Sequence, residues 1–84
     1  MFYVYILQSI STRELYDGYT EDLQNRLHEH NRGLSYTTRH GKPWKLAYYE
    51  AYASKRDAMN RERQLKQYGQ ALSQLKRRLQ YSLQ

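Results

Sequence analysis

One predicted helix carries two side chains that could act together on a phosphodiester bond. Arg26 and His30 are four residues apart, so they stack on one helix face, beside Leu23 and Leu27. A guanidinium can stabilise charge developing on a phosphate, and an imidazole can move a proton at neutral pH. The same spacing also suits an ordinary surface arginine and histidine, and the spacing alone favours that alternative.

A second predicted helix carries a carboxylate on its apolar side. Ala58, Glu62 and Leu65 follow one another at intervals of four and three residues, which places them in one narrow stripe. A carboxylate in that position costs free energy unless it is paired or binds a metal. Glu62 therefore either forms an ion pair, with Arg26 or another base, or is a ligand of a divalent metal.

The chain is rich in tyrosine, with ten among its 84 residues. Strand alternation places Tyr3 and Tyr5 on one face of a first strand, and Tyr16 on a second strand can lie across from Tyr5. Neighbouring phenols are most often core aromatics whose hydroxyls reach an edge. A phenol has a pKa of about 10 and acts as a base only where a metal or a cation lowers that value.

Three strands and a short helix are expected in the first two thirds of the chain. Hydrophobic alternation predicts the strands over residues 2–8, 14–19 and 44–52. The first two strands are close enough in sequence to pair as an antiparallel hairpin. Thr20 is the predicted N-cap of the helix, which should run to about Asn31 and stop before Gly33.

Two further helices are expected after the third strand. Ser54 is the predicted cap of the second helix, with Asp57 as its capping-box partner. That helix should end near Tyr68, with Gly69 as a left-handed cap. The last helix has one apolar stripe, formed by Leu72, Leu75 and Leu79. The predicted order is β-β-α-β-α-α, an α+β fold in one domain spanning residues 1–84.

Composition narrows the choice of partner and compartment. The net charge is +6 and the pI is about 9.7, which favours a polyanion such as nucleic acid over a membrane surface. The absence of cysteine excludes disulfides and thiolate metal sites and suits the reducing cytoplasm. No apolar run approaches the roughly 20 residues that span a bilayer, and the opening apolar run lacks the basic segment of a signal peptide.

The ordered motifs of the chain resemble those of the GIY-YIG nuclease superfamily, particularly its small single-domain bacterial members. The first signature tripeptide is replaced by 3-YVYIL-7, and the second by 16-YDGYT-20. The resemblance continues through 23-LQNRLHEHNRG-33, 36-YTTRHGKPWKLAYYE-50 and 58-AMNRERQLKQY-68. It implies a three-stranded antiparallel sheet flanked by helices, and metal-dependent endonucleolytic hydrolysis of DNA.

The resemblance also implies a set of site residues. Tyr5 and Tyr16 match the tyrosines of the two tripeptides, Arg26 matches the helix arginine, and His30 matches a position that holds histidine or tyrosine. Glu62 matches the sole protein ligand of one Mg²⁺ or Mn²⁺ ion. Gly18 matches the glycine that lets the backbone approach the site.

A one-step hydrolysis is the mechanism that this resemblance suggests. Tyr5, with a lowered pKa and help from His30, takes a proton from the attacking water. The metal on Glu62 neutralises the leaving 3′ oxygen, and Arg26 stabilises the non-bridging oxygens. Tyr16 hydrogen-bonds the phosphate or orients the water.

Two features depart from the family pattern. The family usually has an aliphatic residue where this chain has Asp17, and an unpaired buried carboxylate costs several kcal/mol or becomes neutral. Asp17 is expected to pair with a neighbouring base. The alternatives are a solvent-accessible carboxylate or an altered site with weakened activity. Larger relatives also contribute an asparagine from the C-terminal part of the domain, and residues 69–84 contain none.

Phosphate contacts and shape should dominate recognition of DNA, because the chain has no additional DNA-binding domain. The predicted nucleic-acid contacts lie in and beside the loop after the first helix: Tyr36, Thr37, Arg39, His40, Lys42 and Lys45, with Arg32 nearby. A second basic patch is formed by Lys76, Arg77 and Arg78. Stacking on Tyr36 or Trp44 would favour single-stranded, flapped or branched DNA, although Trp44 equally suits core packing.

The expected function is thus a weakly sequence-specific DNA endonuclease in DNA repair, recombination or uptake, acting as a monomer or weak homodimer. A catalytically silent nucleic-acid-binding module on the same fold is the main alternative, and Asp17 is its only support in the sequence. A protein-interaction domain with a tyrosine-rich surface would require the basic charge to be incidental.

Overall fold

A three-stranded antiparallel sheet forms the centre of the computed structural model, which describes residues 1–67 and 69–83. The strands are β1 (Phe2–Ser9), β2 (Leu15–Thr20) and β3 (Trp44–Tyr52), in the spatial order β2-β1-β3. The helices are α1 (Leu23–Asn31), α2 (Lys55–Gln67) and α3 (Gly69–Arg78). The predicted α+β class and the order β-β-α-β-α-α are both confirmed.

The central strand β1 is buried from both sides because each face of the sheet has its own apolar cluster. Val4 and Ile6 point to the face covered by α2 and α3, where they join Ala58, Leu65, Leu75 and Leu79. Tyr5 and Leu7 point to the opposite face, where they pack with Trp44 and with Leu23 and Leu27 of α1. Alternation along a single strand therefore separates the larger apolar core from the face that holds Tyr5.

The start of α1 differs from the prediction. Thr20 is the last residue of β2, and its hydroxyl accepts a hydrogen bond from the Asp22 amide at 3.1 Å. Asp22 is the N-cap, since its carboxylate accepts from the Asn25 amide at 3.1 Å. Thr20 was the wrong cap because the chain needs two more residues to turn from the sheet into the helix. The end of α1 at Asn31 agrees with the prediction, and Gly33 follows with a left-handed φ of 76°.

Two helices follow β3 as predicted, but Gly69 has a different position from the one predicted. Ser54 lies directly before α2, and its carbonyl accepts from the Ala58 amide at 3.2 Å. The predicted helix end near Tyr68 lies outside the described residues. Gly69, predicted as a left-handed cap, is instead the first residue of α3. No helix within residues 1–67 and 69–83 has the length and apolar character that crossing a membrane requires.

Candidate active site

Tyr5 lies at the centre of the sheet face that α1 covers. Its partner across the β1–β2 ladder is Gly18, and a Cβ at position 18 would come within 2.5 Å of the Tyr5 hydroxyl oxygen. Gly18 therefore makes room for the phenol. Tyr16 was predicted to lie across from Tyr5, but its ladder partner is Leu7. The two tyrosine rings meet on a diagonal instead, with centroids 6.4 Å apart.

His30 is fully buried and links the sheet to the loop after α1. Its Nε2 lies 2.9 Å from the Tyr5 hydroxyl, and its Nδ1 lies 2.7 Å from the Thr38 hydroxyl. The Tyr16 ring packs against the imidazole at a centroid distance of 5.0 Å. These contacts exclude the alternative of an ordinary surface histidine.

The loop that supplies Thr38 is fixed by side chains at its ends. The Asn31 side chain donates to the Trp44 carbonyl at 2.9 Å and accepts from the Trp44 amide. The Trp44 indole nitrogen donates to the Thr38 carbonyl at 2.7 Å. Thr38, the residue of this loop that contacts His30, was not among the predicted site residues. The neighbouring Thr37 was predicted instead, and it is exposed. Only the position of His30 in space identifies Thr38.

The imidazole of His30 is held in its neutral form. Burial, together with the positive charge of Arg26, lowers the pKa of His30 from 6.5 to about 4, against a small opposing effect of Glu29. A neutral imidazole has one N–H donor and one acceptor nitrogen. In the tautomer with hydrogen on Nδ1, the ring donates to Thr38 and its Nε2 accepts the Tyr5 hydroxyl proton. His30 can thus receive the proton of Tyr5.

Tyr5 does not have the lowered pKa that the sequence analysis expected. Burial raises the pKa of Tyr5 to about 12, and this effect outweighs the lowering influence of the adjacent Arg26 guanidinium. The prediction failed because it counted the nearby cation and not the loss of solvation at the centre of the sheet. Tyr5 therefore keeps its proton at neutral pH and can accept another only while passing its own to His30.

Arg26 lies at the rim of this buried cluster. Its side chain remains 31% exposed and forms an ion pair of 3.2 Å with Glu29, one turn further along α1. The guanidinium is also close enough to Tyr5 for the two groups to influence each other's pKa. One side of α1 thus presents a buried neutral imidazole and a solvent-accessible cation beside the same phenol.

Glu62 and Asp17 share a lysine at the other side of Tyr16. Lys66 Nζ lies 3.4 Å from a Glu62 carboxylate oxygen and 3.6 Å from an Asp17 carboxylate oxygen. The same ammonium lies 5.5 Å from the centroid of the Tyr16 ring. The predicted pairing of Asp17 with a base is confirmed, and the base near Glu62 is Lys66 rather than Arg26. The four-residue spacing of Glu62 and Lys66 was the signal available in the sequence.

The donor set around Glu62 suits a hard cation held partly by water. The described part of the chain contains no group of three or more His, Cys, Asp or Glu side chains that could enclose a metal. The Glu62 side chain is 19% exposed and borders a groove along α2, beside Arg56 and Asn60. Magnesium typically binds one or two carboxylates and completes its shell with water and substrate phosphate. Glu62, with Asp17 beside it, could supply those carboxylates.

The loop predicted to contact nucleic acid is largely exposed. Tyr36 is 79% exposed, and the Arg39 guanidinium lies 5.2 Å above the centre of its ring. Thr37, His40 and Lys42 are also exposed, whereas Lys45 is half-buried.

Trp44 is buried and hydrogen-bonded to the Thr38 carbonyl, so the prediction that it could stack a base is wrong. Core packing was the correct alternative, because the loop before β3 folds back over the indole.

Acidification should destabilise the fold through His30. Between pH 6.5 and 4 the unfolded chain binds a proton at His30 that the folded chain does not, so stability present above pH 6.5 is lost as the pH falls. The shift corresponds to roughly 3 kcal/mol. Chemical denaturation across this range should show a shallower pH dependence for His30→Gln than for the unmodified chain. His28→Gln, at an exposed position of α1, should retain the steep fall. Equal slopes for all three proteins would contradict this assignment.

Replacing Asp17 by isoleucine should stabilise the protein. The Asp17 side chain is only 17% exposed, and Lys66 keeps Glu62 as a partner when Asp17 is removed. Exchanging a largely buried ion pair for apolar packing typically gains about 1 kcal/mol, or roughly 4–8 °C in a domain of this size. Asp17→Asn, which removes the charge without adding apolar surface, is the matched control and should not raise the melting temperature. A lower melting temperature for Asp17→Ile would indicate that the carboxylate has a necessary role.

Comparison with known proteins shows which family the chain belongs to. A family model described as the GIY-YIG catalytic domain matches residues 1–79. A UPF0213 protein of Bacillus pumilus is 46% identical over 66 residues, which are 76% of this chain and 65% of that protein. A UPF0213 protein of Streptococcus agalactiae is 46% identical over 67 residues, covering 77% of this chain and 74% of the relative.

The chain thus spans slightly less than two thirds of the Bacillus pumilus relative. No solved structure matches it. The family match covers the strands β1–β3 and the helices α1–α3. It also covers the residues around Tyr5 and His30 and the residues around Glu62 and Lys66. The chain belongs to the GIY-YIG catalytic domain family.

Proposed function

We propose that the protein is a metal-dependent DNA endonuclease that hydrolyses phosphodiester bonds. The observation that carries this proposal is the hydrogen bond of 2.9 Å between the buried Tyr5 hydroxyl and His30 Nε2, with the Arg26 guanidinium beside it. This arrangement combines a proton acceptor with a cation at the same point of the sheet. Those are the two groups that attack of water on a phosphate requires.

Proton transfer would run through two residues. The attacking water forms the new bond to phosphorus and gives its proton to the Tyr5 oxygen, while Tyr5 gives its own proton to His30 Nε2. Thr38 holds the ring in the required orientation through Nδ1. The raised pKa of Tyr5 disfavours a free tyrosinate, so Tyr5 would have to pass on its own proton as it accepts that of the water. The lowered pKa of His30 leaves Nε2 unprotonated at neutral pH and able to accept the Tyr5 hydroxyl proton.

Arg26, at the edge of the buried cluster of Tyr5 and His30, would stabilise the negative charge on the phosphate. Arg26 would bind the non-bridging oxygens, a role that its partial exposure and its proximity to Tyr5 support. Tyr16 lies between His30 and Lys66 and can hydrogen-bond the phosphate or orient the water. The bond from phosphorus to the 3′ oxygen breaks, and the leaving oxygen takes a proton from solvent. The products are a 5′-phosphate and a 3′-hydroxyl.

Glu62 would hold the metal, Mg²⁺ or Mn²⁺, with Asp17 beside it. When bound, the ion supplies the positive charge that an alkoxide leaving group needs. Lys66 contacts both carboxylates in the structure, and its side chain is 46% exposed. The lysine can therefore move aside into solvent when the ion binds.

The substrate of this proposal is DNA that is single-stranded, flapped or branched, with little sequence preference. The exposed loop residues Tyr36 and Arg39 stack on each other, and such a pair can engage an unpaired base and its phosphate. The net charge of +6 favours a polyanion. DNA repair, recombination or uptake in the cytoplasm would supply such substrates.

A cleavage time course tests this function. End-labelled single-stranded, duplex and flapped DNA of equal length would be incubated with the protein in Mg²⁺, Mn²⁺ or EDTA, at two salt concentrations. We expect cutting only with metal, faster on single-stranded and flapped DNA, and strongly reduced by salt. Cleavage at one unique duplex sequence would contradict the proposed substrate preference, and undiminished cutting in EDTA would contradict the metal requirement.

The second candidate function is a catalytically silent nucleic-acid-binding module. The observation that favours it is the contact of Lys66 with both Asp17 and Glu62, because the ammonium competes with a divalent ion for the same carboxylates. Such a module would bind DNA equally well in Mg²⁺ and EDTA and leave every substrate intact. The time course above separates the two functions directly.

A further inference from the structure

A pair of tyrosines lies beside the proposed phosphate site on the same face of the sheet. Tyr49 of β3 is the ladder partner of Tyr5, so the two side chains are immediate neighbours across the strands. The Tyr49 ring contacts the Tyr3 ring edge to face, with centroids 5.9 Å apart and an interplanar angle of 67°. Tyr49 is 51% exposed, and Ala51, the ladder partner of Tyr3, is also exposed.

Tyr49 differs from the other tyrosines of its strand. Tyr48 and Tyr52 point to the opposite face, where both hydroxyls donate to the Glu50 carboxylate. Arg61 completes that cluster with an ion pair to Glu50 of 3.0 Å. Tyr48 and Tyr52 therefore both have structural partners on that face. Tyr49 instead presents half of its surface to solvent, and the hydrolytic mechanism does not use it.

An exposed aromatic ring on a basic protein is suited to an unpaired nucleobase of an anionic strand. A base can stack on a tyrosine whatever its identity, because every base has a π-face. The ring of Tyr3 packs against the side of the Tyr49 ring. The basic charge of the chain and the neighbouring Arg26–Tyr5 pair favour an anionic strand over an apolar protein segment at this position.

We propose that Tyr49, supported by Tyr3, is a stacking site for an unpaired base of single-stranded DNA, on the nucleotide next to the phosphate at Arg26. The location of that phosphate rests on the proposed function. The stacking interaction does not rest on the proposed function, because it requires that the protein binds DNA and not that it cleaves DNA. A paired base is covered by its neighbours in the duplex, so this site selects unpaired or splayed strands.

Binding of two matched oligonucleotides tests the site. One is a single-stranded thymidine oligomer, and the other is an abasic oligomer of equal length with the same phosphates and no bases. Both would be measured in EDTA, where metal-dependent cutting cannot occur. The unmodified protein should bind the thymidine oligomer more tightly than the abasic oligomer. Tyr49→Leu should weaken that binding roughly ten-fold, the loss of about one stacked base, and leave abasic binding unchanged.

Two further variants define the specificity of the effect. Tyr49→Trp should retain the preference for bases, because an indole stacks at least as well as a phenol. Tyr81→Leu, which removes another highly exposed tyrosine, should not change either affinity. Melting curves should show that Tyr49→Leu remains folded, as its half-exposed position requires.

The outcomes separate this inference from the proposed function. If Tyr49→Leu binds both oligomers as the unmodified protein does, the stacking site is wrong, whatever the cleavage result. If Tyr49→Leu loses equal affinity for both oligomers, the residue affects phosphate binding and the inference is again overturned. If base discrimination is reduced in Tyr49→Leu but the unmodified protein cuts nothing, the stacking site stands and the nuclease proposal fails.

Discussion

Replacing Arg26 by alanine should lower the rate of DNA cleavage by about 10²–10³-fold, the range for loss of one group that stabilises transition-state charge. The guanidinium lies beside Tyr5 and lowers the pKa of that phenol against the larger effect of burial. Its removal thus takes away the cation at the phosphate and makes Tyr5 a weaker proton carrier. Single-turnover cleavage with protein in excess is the appropriate measurement, because it separates the chemical step from binding.

Arg77→Ala is the matched control for this change. Arg77 is exposed near the end of α3, so the variant loses the same charge away from the Tyr5 cluster. It should weaken binding modestly and leave the single-turnover rate unchanged. The Arg26→Ala protein should melt within a few degrees of the unmodified one, because its ion pair with Glu29 is solvent-accessible and contributes only about 0–1 kcal/mol. Equal cleavage rates for the Arg26 and Arg77 variants would remove Arg26 from the site.

Replacing Gly18 by alanine should disrupt both the fold and the activity. The added Cβ would lie 2.5 Å from the Tyr5 hydroxyl oxygen and 2.6 Å from the ring carbon that bears it. Tyr5 cannot move aside easily, because its ring is buried between the sheet and α1. We expect a loss of about 1–3 kcal/mol from overpacking, together with displacement of the phenol from His30 and a fall in cleavage of at least ten-fold.

Gly69→Ala provides the comparison for Gly18→Ala. A Cβ at position 69 meets no atom within 4 Å, so the same chemical change should be tolerated there. Denaturation curves and cleavage rates of the two variants measure the effect of steric contact separately from the general effect of removing a glycine. Full activity in Gly18→Ala would show that the position of Tyr5 beside His30 is not required for hydrolysis.

The fold was predictable because local patterns and topology agree. Period-two alternation in the aromatic segments specified all three strands, and the range of β3 was predicted without error. The caps were less certain, because several polar residues near a strand end can bond the first helical amides. Thr20 and Asp22 are both suitable, and the length of the turn after β2 determines that Asp22 caps α1.

The relative positions of Arg26 and His30 were easier to predict than the chemistry around them. Arg26 and His30 share one face of α1 as their spacing indicated, but burial of His30 depends on the loop that folds back over Trp44. That loop has no periodic pattern. The partner of Asp17 is Lys66, 49 positions away, and no local rule relates two such residues. The raised pKa of Tyr5 likewise depends on burial by elements distant in sequence.

The most direct test of the central claim is the single-turnover cleavage rate of single-stranded DNA by the unmodified protein and by Glu62→Gln, with Mg²⁺ and with EDTA. The substitution keeps the size of the side chain and removes the charge that would hold the ion. We predict cutting by the unmodified protein with Mg²⁺, and a loss of at least 100-fold in Glu62→Gln or in EDTA, with binding retained. Equal cutting by Glu62→Gln, or no cutting by the unmodified protein in Mg²⁺ or Mn²⁺, would contradict a metal-dependent nuclease centred on Glu62 and Tyr5.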